Sequence, residues 1–380
     1  SSAASDVYKR QSMNIEKLDK SRRKKEPCWK LFKEWVKKHI LAIALISSAV
    51  VITGVFLIAI YSIKYEQTAS TDLQIAKKKA TPKKFYSPLT GIEVADENAT
   101  KQPVTGVMIE NSPAARPQSG LKKAGAIYEA VAEGGITRFL ALYQGEKPAL
   151  IGPVRSLRLY YLSWTAPYQA SVAHVGGSPN ALAQVRNGSY RDIDQFFNGG
   201  YYWRVRDRYA PHNVYTSGER IDQLNSAKGY IKSEFTSFTR TDGKPAESPN
   251  ATKIAINLSG YSYNTSYAYH KESNSYVRSM AGAPHVDRED GQISPNVVVA
   301  MEVGVEARAQ NSDGYEDAKT TGSGKAYVFQ NGTVIAATWS KTDINAPLKL
   351  TDESGKDIAL NRGQTWISAF TPGRGGVSWQ

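Results

Sequence analysis

The hydrophobic pattern of the chain begins with a long uncharged run. Residues 40–63 read ILAIALISSAVVITGVFLIAIYSI and contain no charged side chain. A bilayer core of about 30 Å needs about 20 helical residues, so this run is long enough to cross a membrane. It has no alternating polar face, which argues against a helix lying on the membrane surface. The pattern therefore predicts a transmembrane helix over residues 39–64 rather than a buried helix of a soluble protein.

A cleaved signal peptide is the main alternative to a retained anchor. The apolar region of a signal peptide is usually about 7–15 residues long and ends at a small-residue cleavage site. This run is longer and continues into Tyr61 and Tyr65. A lipoprotein is disfavoured because the only cysteine, Cys28, precedes the apolar run. The sequence therefore favours a retained single-pass anchor.

Charge next to the run predicts its orientation. The basic residues before it are Arg22, Arg23, Lys24, Lys25, Lys30, Lys33, Lys37 and Lys38. Because Lys and Arg close to a span stay in the cytoplasm, we expect residues 1–38 to be cytoplasmic and the C-terminal part to be extracytoplasmic. Met13 begins a lysine-rich leader of ordinary composition, so we expect residues 1–12 to be non-native. The predicted localisation is the cell membrane.

The chain after the anchor starts with a tether and continues into a mixed domain. Residues 65–84 are polar and lysine-rich, as a tether would be. From residue 85 to residue 240, apolar strand-like runs alternate with helix signals. Gly134-Gly135 separates two strand-like runs as in a hairpin, and Ser217 and Gly229 mark the two ends of a helix. This alternation predicts an α/β (α+β) domain with a mixed sheet.

The last part of the chain is richer in strand signals. Residues 241–252 have the composition of a linker. Residues 253–380 contain several apolar or alternating runs, and two of them flank Asn331-Gly332, a strong hairpin signal. The predicted fold class is thus one N-terminal transmembrane helix, then an α/β mixed-sheet domain and a smaller β-rich C-terminal domain.

The net charge of the chain belongs to its N-terminal part. The formal charge of +13 suggests a nucleic-acid partner until its location is considered. Residues 1–64 carry +8 and residues 65–84 carry +3, which leaves +2 for residues 85–380. The globular part therefore has no bulk positive charge for binding nucleic acid. The basic ends instead suit an anionic membrane leaflet.

Familiar catalytic and metal-binding signatures do not occur in the sequence. It contains no G-x-S-x-G, no H-E-x-x-H and no phosphate-binding loop, and the histidines after the tether match no zinc spacing. The globular part has no cysteine and so no thiol nucleophile. The sequence therefore predicts neither a cofactor nor a metal.

Charged residues of the first domain suggest a cluster. Strand alternation predicts that Glu129 and Glu133 share one face. Buried carboxylates require positive partners, so we expect Glu129 or Glu133 to pair with Arg138 or Arg155. Such a cluster is either a set of structural ion pairs or a site for an anion or a glycan.

Histidines could complete such a site. His212 lies in the turn YAPHN, whereas His174 lies inside an apolar run and is more typical of a core histidine. In the second domain, His285 and Asp287 alternate along the chain. That pattern is more typical of a solvated strand face than of a metal site.

Five blocks of sequence resemble the YerB family of two-part bacterial envelope proteins, also called DUF3048. The blocks are SPLTG at 87–91, MIEN-SPAARPQSGL at 108–121, YEAVAEGGITRFLALYQ at 128–144, IGPVRSLR at 151–158 and RYAPHN at 208–213. The resemblance implies a mixed α/β domain followed by a smaller β-rich domain, and it implies no activity. Many members are lipoproteins, whereas here a transmembrane helix would replace the lipidated cysteine. The recurrent polar positions of the family fall on Asn111, Arg116, Glu133, Thr137, Arg138, Arg155, Arg158, His174, Arg208, His212 and Asn213.

Three functions remain open at this point. The first is an envelope protein that binds a cell-wall glycopolymer, a peptidoglycan fragment or an envelope protein partner. The second is a hydrolase or transferase acting on envelope polymers, with Glu133 and His212 as the acid–base pair and Arg138 and Arg155 as an anion clamp. The third is a purely structural protein. The ligand-binding candidates are Asn111, Arg116, Thr137, Arg138, Arg155, Arg158, His174, Arg208 and Asn213.

Overall fold

The computed structural model describes residues 28–77, 83–306 and 317–380 of the 380-residue chain. The chain divides into two compact units, one ending at Lys83 and one running from Lys84 to Gln380. We call the second unit the globular body. Residues 1–27 and 78–82, which contain parts of the predicted cytoplasmic segment and tether, lie outside the described residues.

The first unit contains one long helix, α1 (Cys28–Lys77). Its stretch Cys28–Glu66 has a mean hydropathy of 2.7 in its most apolar window, and no side chain of that window is buried. Among the described residues, α1 alone is long and apolar enough to cross a membrane. The helix starts before and ends after the predicted span 39–64, because Lys, Leu, Gln and Ala on either side favour helix. Residues 65–77 of the predicted tether are therefore helical.

The globular body contains short helices and many strands. The helices are α2 (Glu97–Thr100), α3 (Leu159–Thr165), α4 (Pro179–Val185) and α5 (Gly218–Ala227). The strands are β1 (Phe85–Tyr86), β2 (Glu93–Val94), β3 (Thr105–Glu110), β4 (Ala126–Glu133), β5 (Ile136–Tyr143), β6 (Ser171–His174), β7 (Arg191–Asp194), β8 (Trp203–Arg204), β9 (Val214–Tyr215), β10 (Arg240–Thr241), β11 (Lys253–Asn257), β12 (Thr265–His270), β13 (Ser275–Met280), β14 (Ala283–Pro284), β15 (Val286–Asp287), β16 (Gly291–Gln292), β17 (Val297–Glu302), β18 (Val305–Glu306), β19 (Asp317–Ala318), β20 (Gly322–Gln330), β21 (Thr333–Lys341), β22 (Lys349–Thr351), β23 (Leu360–Asn361), β24 (Thr365–Phe370) and β25 (Gly376–Trp379).

A ten-stranded mixed sheet runs through the globular body in the order β22-β21-β20-β17-β24-β4-β5-β3-β6-β7. Strand β24 pairs in parallel with β17 on one side and with β4 on the other. Strands from before and after residues 241–252 are therefore hydrogen-bonded in one sheet. The predicted division into domains at that segment stays a prediction.

Three apolar clusters form the core. One covers one face of the large sheet, where Trp164 of α3 belongs to the same cluster as Met108 and Leu140 of the strands. A second covers the opposite face around Phe139 and Trp366. The third lies between the large sheet and a five-stranded antiparallel sheet of order β14-β13-β12-β11-β25. Together, these layers confirm the predicted fold class of an N-terminal apolar helix, a mixed-sheet part and a β-rich C-terminal part.

Local sequence signals explain several elements. Strand β4 ends directly before the predicted turn at Gly134-Gly135, and Ser217 caps α5 by accepting a hydrogen bond from the backbone N–H of Arg220 at 3.2 Å. Asn331 and Gly332 have φ angles of 60° and 79°, as a two-residue hairpin turn requires. The predicted hairpin between β20 and β21 is therefore present.

Candidate functional site

Several polar residues meet at one edge of the ten-stranded sheet. Strands β3, β4, β6 and β7 run in the same direction, because β3 and β4 both pair antiparallel with β5 and β3, β6 and β7 pair in parallel. Their carboxyl ends place Glu110, Glu133, His174 and Asp194 along this edge, and Arg138 lies near the start of β5. Ligands of open α/β sheets commonly bind outside the carboxyl ends of the strands.

The first group at this edge is the Glu133 cluster, which consists of Glu133, Arg138 and Arg158. Arg138 Nη2 donates to Glu133 Oε1 at 2.9 Å, and Arg158 Nη2 forms an ion pair with Glu133 Oε2. Arg138 Nη1 also donates to the carbonyl of Ser156 at 2.8 Å. Both arginine side chains are buried, whereas the Glu133 side chain is 25% exposed. The predicted pairing of Glu133 with Arg138 is thus confirmed.

The second group is the Glu110 cluster, which consists of Glu110, Ser112, Arg155 and His212. Glu110 Oε1 accepts hydrogen bonds from Ser112 Oγ and His212 Nδ1, each at 2.9 Å, and lies 3.6 Å from Arg155 Nε. Glu110 Oε2 is buried and has no hydrogen-bond partner among the described residues. Because Glu110 lies directly opposite Arg138 in the pairing of β3 and β5, the two clusters are neighbours.

The geometry of His212 argues against a hydrolytic triad. In such a triad the hydroxyl nucleophile and the carboxylate bind opposite nitrogens of the imidazole ring. Here the Ser112 hydroxyl lies 3.4 Å from the same Nδ1 that binds Glu110. The predicted acid–base candidates Glu133 and His212 also have different partners, two arginines for the carboxylate and Glu110 for the imidazole.

Two side chains of the Glu110 cluster remain available to a ligand. The side chains of Arg155 and His212 are 27% and 26% exposed. Within the described part of the chain, neither the Nη atoms of Arg155 nor Nε2 of His212 has a hydrogen-bond partner. A guanidinium and an imidazole in this state can bind an anionic or hydroxylated group.

The prediction that Glu129 and Glu133 share a face is wrong. A β-bulge between Val131 and Glu133 shifts the register of β4 and reverses the alternation. Glu129 lies on the opposite face and is fully buried, with Arg278 Nη2 at 2.6 Å and Trp366 Nε1 at 3.0 Å from its Oε2. The arginine that neutralises Glu129 therefore comes from the C-terminal part of the chain.

Three ligand-binding candidates lie on that opposite face. Asn111 Nδ2 donates to Thr137 Oγ1 at 2.6 Å, and Arg116 Nε donates to Asn111 Oδ1 at 3.1 Å. Arg116 Nη2 also donates to the carbonyl of Ser262 at 2.7 Å. Asn111 and Thr137 are fully buried, and burial lowers the pKa of Arg116 from its usual value. These residues join segments of the body and lie apart from the Glu110 cluster.

His174 lies at the same edge of the sheet, and its side chain is inside the core, as its apolar sequence surroundings predicted. Its Nδ1 donates to the carbonyl of Gly176 at 2.7 Å, and its Nε2 lies 3.0 Å from Asp192 Oδ1. Burial raises the pKa of Asp192, but the hydrogen bond and charge of His174 outweigh it and hold that pKa below the usual value. The side chain of His174 is completely buried, so it does not face a ligand.

Arg208 and Asn213 shape the loop that carries His212. Arg208 donates to the backbone carbonyls of Ala115 and Pro117. Asn213 Nδ2 donates to the carbonyl of Val205 at 3.2 Å, and it also reaches the carbonyl of Arg208. These two candidates position the loop through backbone contacts.

The expectation of a solvated strand face at His285 and Asp287 is wrong, because both side chains are buried. His285 Nε2 lies 3.1 Å from Gln118 Oε1, and Asp287 Oδ2 accepts from the backbone N–H of Lys122 at 2.9 Å. Burial, reinforced by nearby arginines, holds the pKa of His285 well below its usual range. Both residues therefore connect β15 to the first half of the chain.

Sequence reasoning assigned no role to Glu110 and Ser112, although both lie in the block around residues 108–121. Their signal was an acidic and a hydroxyl residue directly after an apolar strand. Within residues 28–77, 83–306 and 317–380, no group of three or more His, Cys, Asp or Glu side chains could hold a metal ion.

Comparisons with known proteins agree with this architecture. Residues 89–231 match the family described as "Protein of unknown function (DUF3048) N-terminal domain", and residues 254–367 match its C-terminal domain. A Bacillus subtilis (strain 168) protein, YerB, whose name describes it as a lipoprotein, is 34% identical over 297 residues, which cover 76% of this chain and 87% of the relative. The crystal structure of YerB from Bacillus subtilis superimposes with a TM-score of 0.68 at 30% identity and covers 77% of this chain and 99% of that one.

Proposed function

This chain belongs to the DUF3048 family, and from this premise we propose that it is a membrane-anchored protein of the bacterial cell envelope. Its globular body would lie outside the cytoplasm and bind an envelope ligand through the Glu110 cluster. The ligand would be a cell-wall glycopolymer, a peptidoglycan fragment or an envelope protein partner.

The anchor part of the proposal rests on α1. Its central residues are uncharged, and basic residues precede them on the side expected in the cytoplasm. A relative whose name describes a lipoprotein would also hold its body at a membrane, through a lipid instead of a helix. Cys28 precedes the apolar run and cannot be the lipid-bearing residue of a leader that ends after that run.

Labelling with a membrane-impermeant maleimide tests the orientation, because Cys28 is the only cysteine. We expect Cys28 to react only after the cells are permeabilised. A Cys28→Ser/Tyr209→Cys variant should react in intact cells, because Tyr209 is 93% exposed. Labelling of Cys28 in intact cells would contradict the orientation, and a mature protein that lacks Cys28 by mass would contradict the retained helix.

The binding part of the proposal rests on one observation: Arg155 and His212 present nitrogen atoms that lack partners in the described chain, next to a carboxylate with an unpaired buried oxygen. Buried polar atoms normally have partners, so an unpaired one indicates a water or a ligand group. Hydrogen bonds to charged groups contribute about 1.5–3 kcal/mol each, so losing one should weaken binding at least about tenfold.

Retention of cell-wall fractions on the immobilised full chain in detergent tests binding. Wild type should retain wall material, whereas Arg155→Met and His212→Gln should each lose most of it. Arg288→Met is a matched control, because it removes an exposed arginine paired with Asp207. Failure of wild type to retain any wall fraction or envelope protein, or full retention by both cluster variants, would refute the proposal.

The hydrolase or transferase alternative has less support, because Glu133 is held by two arginines and does not contact His212. Comparing the products of wall material treated with wild type and with Glu133→Gln tests it, since identical product profiles would exclude a role for this carboxylate. The purely structural alternative would require the Arg155 and His212 variants to bind as wild type does.

A further inference from the structure

Exposed aromatic side chains concentrate in one short segment of the globular body. Phe196, Phe197, Trp203 and Tyr209 are 69%, 70%, 38% and 93% exposed. We call these four residues the aromatic strip. Large apolar side chains are usually buried in folded domains, and a concentration of exposed ones on a surface indicates an interaction site.

The aromatic strip lies at the same edge of the sheet as the Glu110 cluster. The turn that carries Phe196 and Phe197 follows β7, and β7 is separated from β3 only by β6. Neighbouring strands lie about 4.8 Å apart, so the two strand ends are separated by about 10 Å. This distance suits a ligand that extends from one group to the other.

Direct contacts connect the strip to the cluster from two sides. The Phe196 ring covers Gly176, where a Cβ would lie 3.1 Å from the ring. The neighbouring Val175 donates its backbone N–H to the carbonyl of Arg155 at 3.1 Å. On the other side, the backbone N–H of His212 donates to the carbonyl of Tyr209 at 3.0 Å. Backbone contacts therefore link Arg155 and His212 of the cluster to the segments that carry Phe196 and Tyr209.

The cluster offers a ligand donors as well as acceptors. Arg155 is suited to an anionic group. Because Nδ1 of His212 carries the proton shared with Glu110, its Nε2 can accept from a hydroxyl, or donate when the ring is charged. The unpaired Glu110 Oε2 is buried, so a bridging water would connect it to a hydroxyl or amide group of the ligand. A ligand that satisfies all three carries an anionic group and hydroxyl or amide groups.

We infer that the ligand of this site is an acidic saccharide, whose ring faces pack on the aromatic strip while its anionic group binds Arg155 and its hydroxyl groups bind His212 directly and Glu110 through a water. This inference rests on the proposed function and specifies its substrate class. The apolar C–H faces of a sugar ring match exposed aromatic rings, and the polar edge of the same ring matches the cluster.

A membrane surface fits this patch less well. Lipid binding uses free Lys and Arg side chains near the exposed aromatic residues. Here Arg186 pairs with Asp194 at 2.8 Å and covers the Phe197 ring, and Arg208 is bound to backbone carbonyls. Arg204 donates to Asn213 Oδ1 at 2.6 Å, so Arg206 is the one arginine of residues 203–209 that has no partner among the described residues. Contact with lipid would also bring the carboxylate of Glu110 to the bilayer at a high desolvation cost.

Calorimetric binding to the full chain in detergent tests the inference with four soluble probes. They are the disaccharide of N-acetylglucosamine and N-acetylmuramic acid, N-acetylglucosamine 1-phosphate, uncharged N,N′-diacetylchitobiose, and lactate. One of the first two should bind at least about tenfold more tightly than diacetylchitobiose and lactate, since only these carry both a sugar ring and a negative charge. A preference between these two probes shows whether the anionic group of the ligand is a carboxylate or a phosphate.

Two variants separate this inference from the proposed function. Phe196→Ala/Phe197→Ala should weaken binding of the preferred acidic probe about tenfold, and Ile231→Ala, which changes an exposed side chain outside the strip, should not. Both variants should unfold at the wild-type urea concentration, because the replaced side chains are exposed. If Arg155→Met loses wall binding and the double Phe variant does not, the proposed function stands and this inference is overturned. Equal binding of all four probes would also overturn it. So would a double Phe variant that no longer binds anionic phosphatidylglycerol vesicles but binds the acidic probe as wild type does.

Discussion

The ion pair between Glu129 and Arg278 makes the strongest prediction about stability. Both side chains are completely buried, and their residues are 149 positions apart in the chain. Removing one partner of a buried pair leaves a charge without compensation and costs about 3–5 kcal/mol. We therefore expect Arg278→Met and Glu129→Gln each to lower the free energy of unfolding by about that amount.

The two changes should not add. In the Glu129→Gln/Arg278→Met variant neither charge remains, so the double variant should be more stable than the sum of the single effects by about 2–3 kcal/mol. Trp366 Nε1, which donates to Glu129 at 3.0 Å, would keep an amide oxygen as its acceptor. A positive coupling of this size would show that the two charges stabilise each other directly.

Urea unfolding of the full chain in detergent, followed by tryptophan fluorescence, measures these differences. With a slope of about 3 kcal/mol per molar urea, each single variant should shift the midpoint by about 1 M or more. Arg288→Met, which removes an exposed pair, should cost at most about 1 kcal/mol. Single effects no larger than this control, or additive effects in the double variant, would refute the reasoning.

Three further predictions concern other sites. Burial lowers the pKa of Lys341 to about 8, so the unfolded chain binds more protons above that pH. The free energy of unfolding should thus rise from pH 8 to about pH 9.5 in wild type relative to Lys341→Met. His285 has a pKa held well below 6.5, so wild type should lose up to about 1.4 kcal/mol of stability per pH unit below pH 6.5, and urea titrations of His285→Gln should show a smaller loss. Gly332→Ala should lower the free energy of unfolding by more than the strain of a left-handed alanine, about 1–2 kcal/mol, because its Cβ would lie 2.6 Å from the Tyr269 ring. Gly355→Ala has open space around its Cβ and should cost only that strain. Equal shifts in the urea midpoint of the two variants would contradict this reasoning.

Local signals predicted much of the fold. Strand β4, helix α5 and the hairpin at Asn331-Gly332 follow from alternation, capping and turn residues that lie within the element itself. The helical residues 65–77 were missed because a lysine-rich polar segment has good helix propensity as well as the composition of a tether. Composition alone does not separate these two states.

The candidate site was predicted only in part, for a physical reason. Glu133 and Arg138 are five positions apart, and their pairing could be inferred from one hairpin. The bulge after Val131 depends on how many residues the partner strand supplies, and alternation along β4 does not reveal that number. The partner of Glu129 lies in a distant part of the sequence, so only the folded chain identifies Arg278.

The position of β24 in the large sheet constrains how the protein can be made. This strand, which ends ten residues before the end of the described chain, fills the gap between β4 and β17. A chain synthesised from its N-terminus exposes β4 with an open hydrogen-bonding edge until β24 has been made. Unpaired strand edges promote aggregation, so the incomplete chain depends on chaperone protection or rapid completion of synthesis. Premature termination shortly before residue 365 would therefore damage the first half of the protein, although every residue of that half would be present.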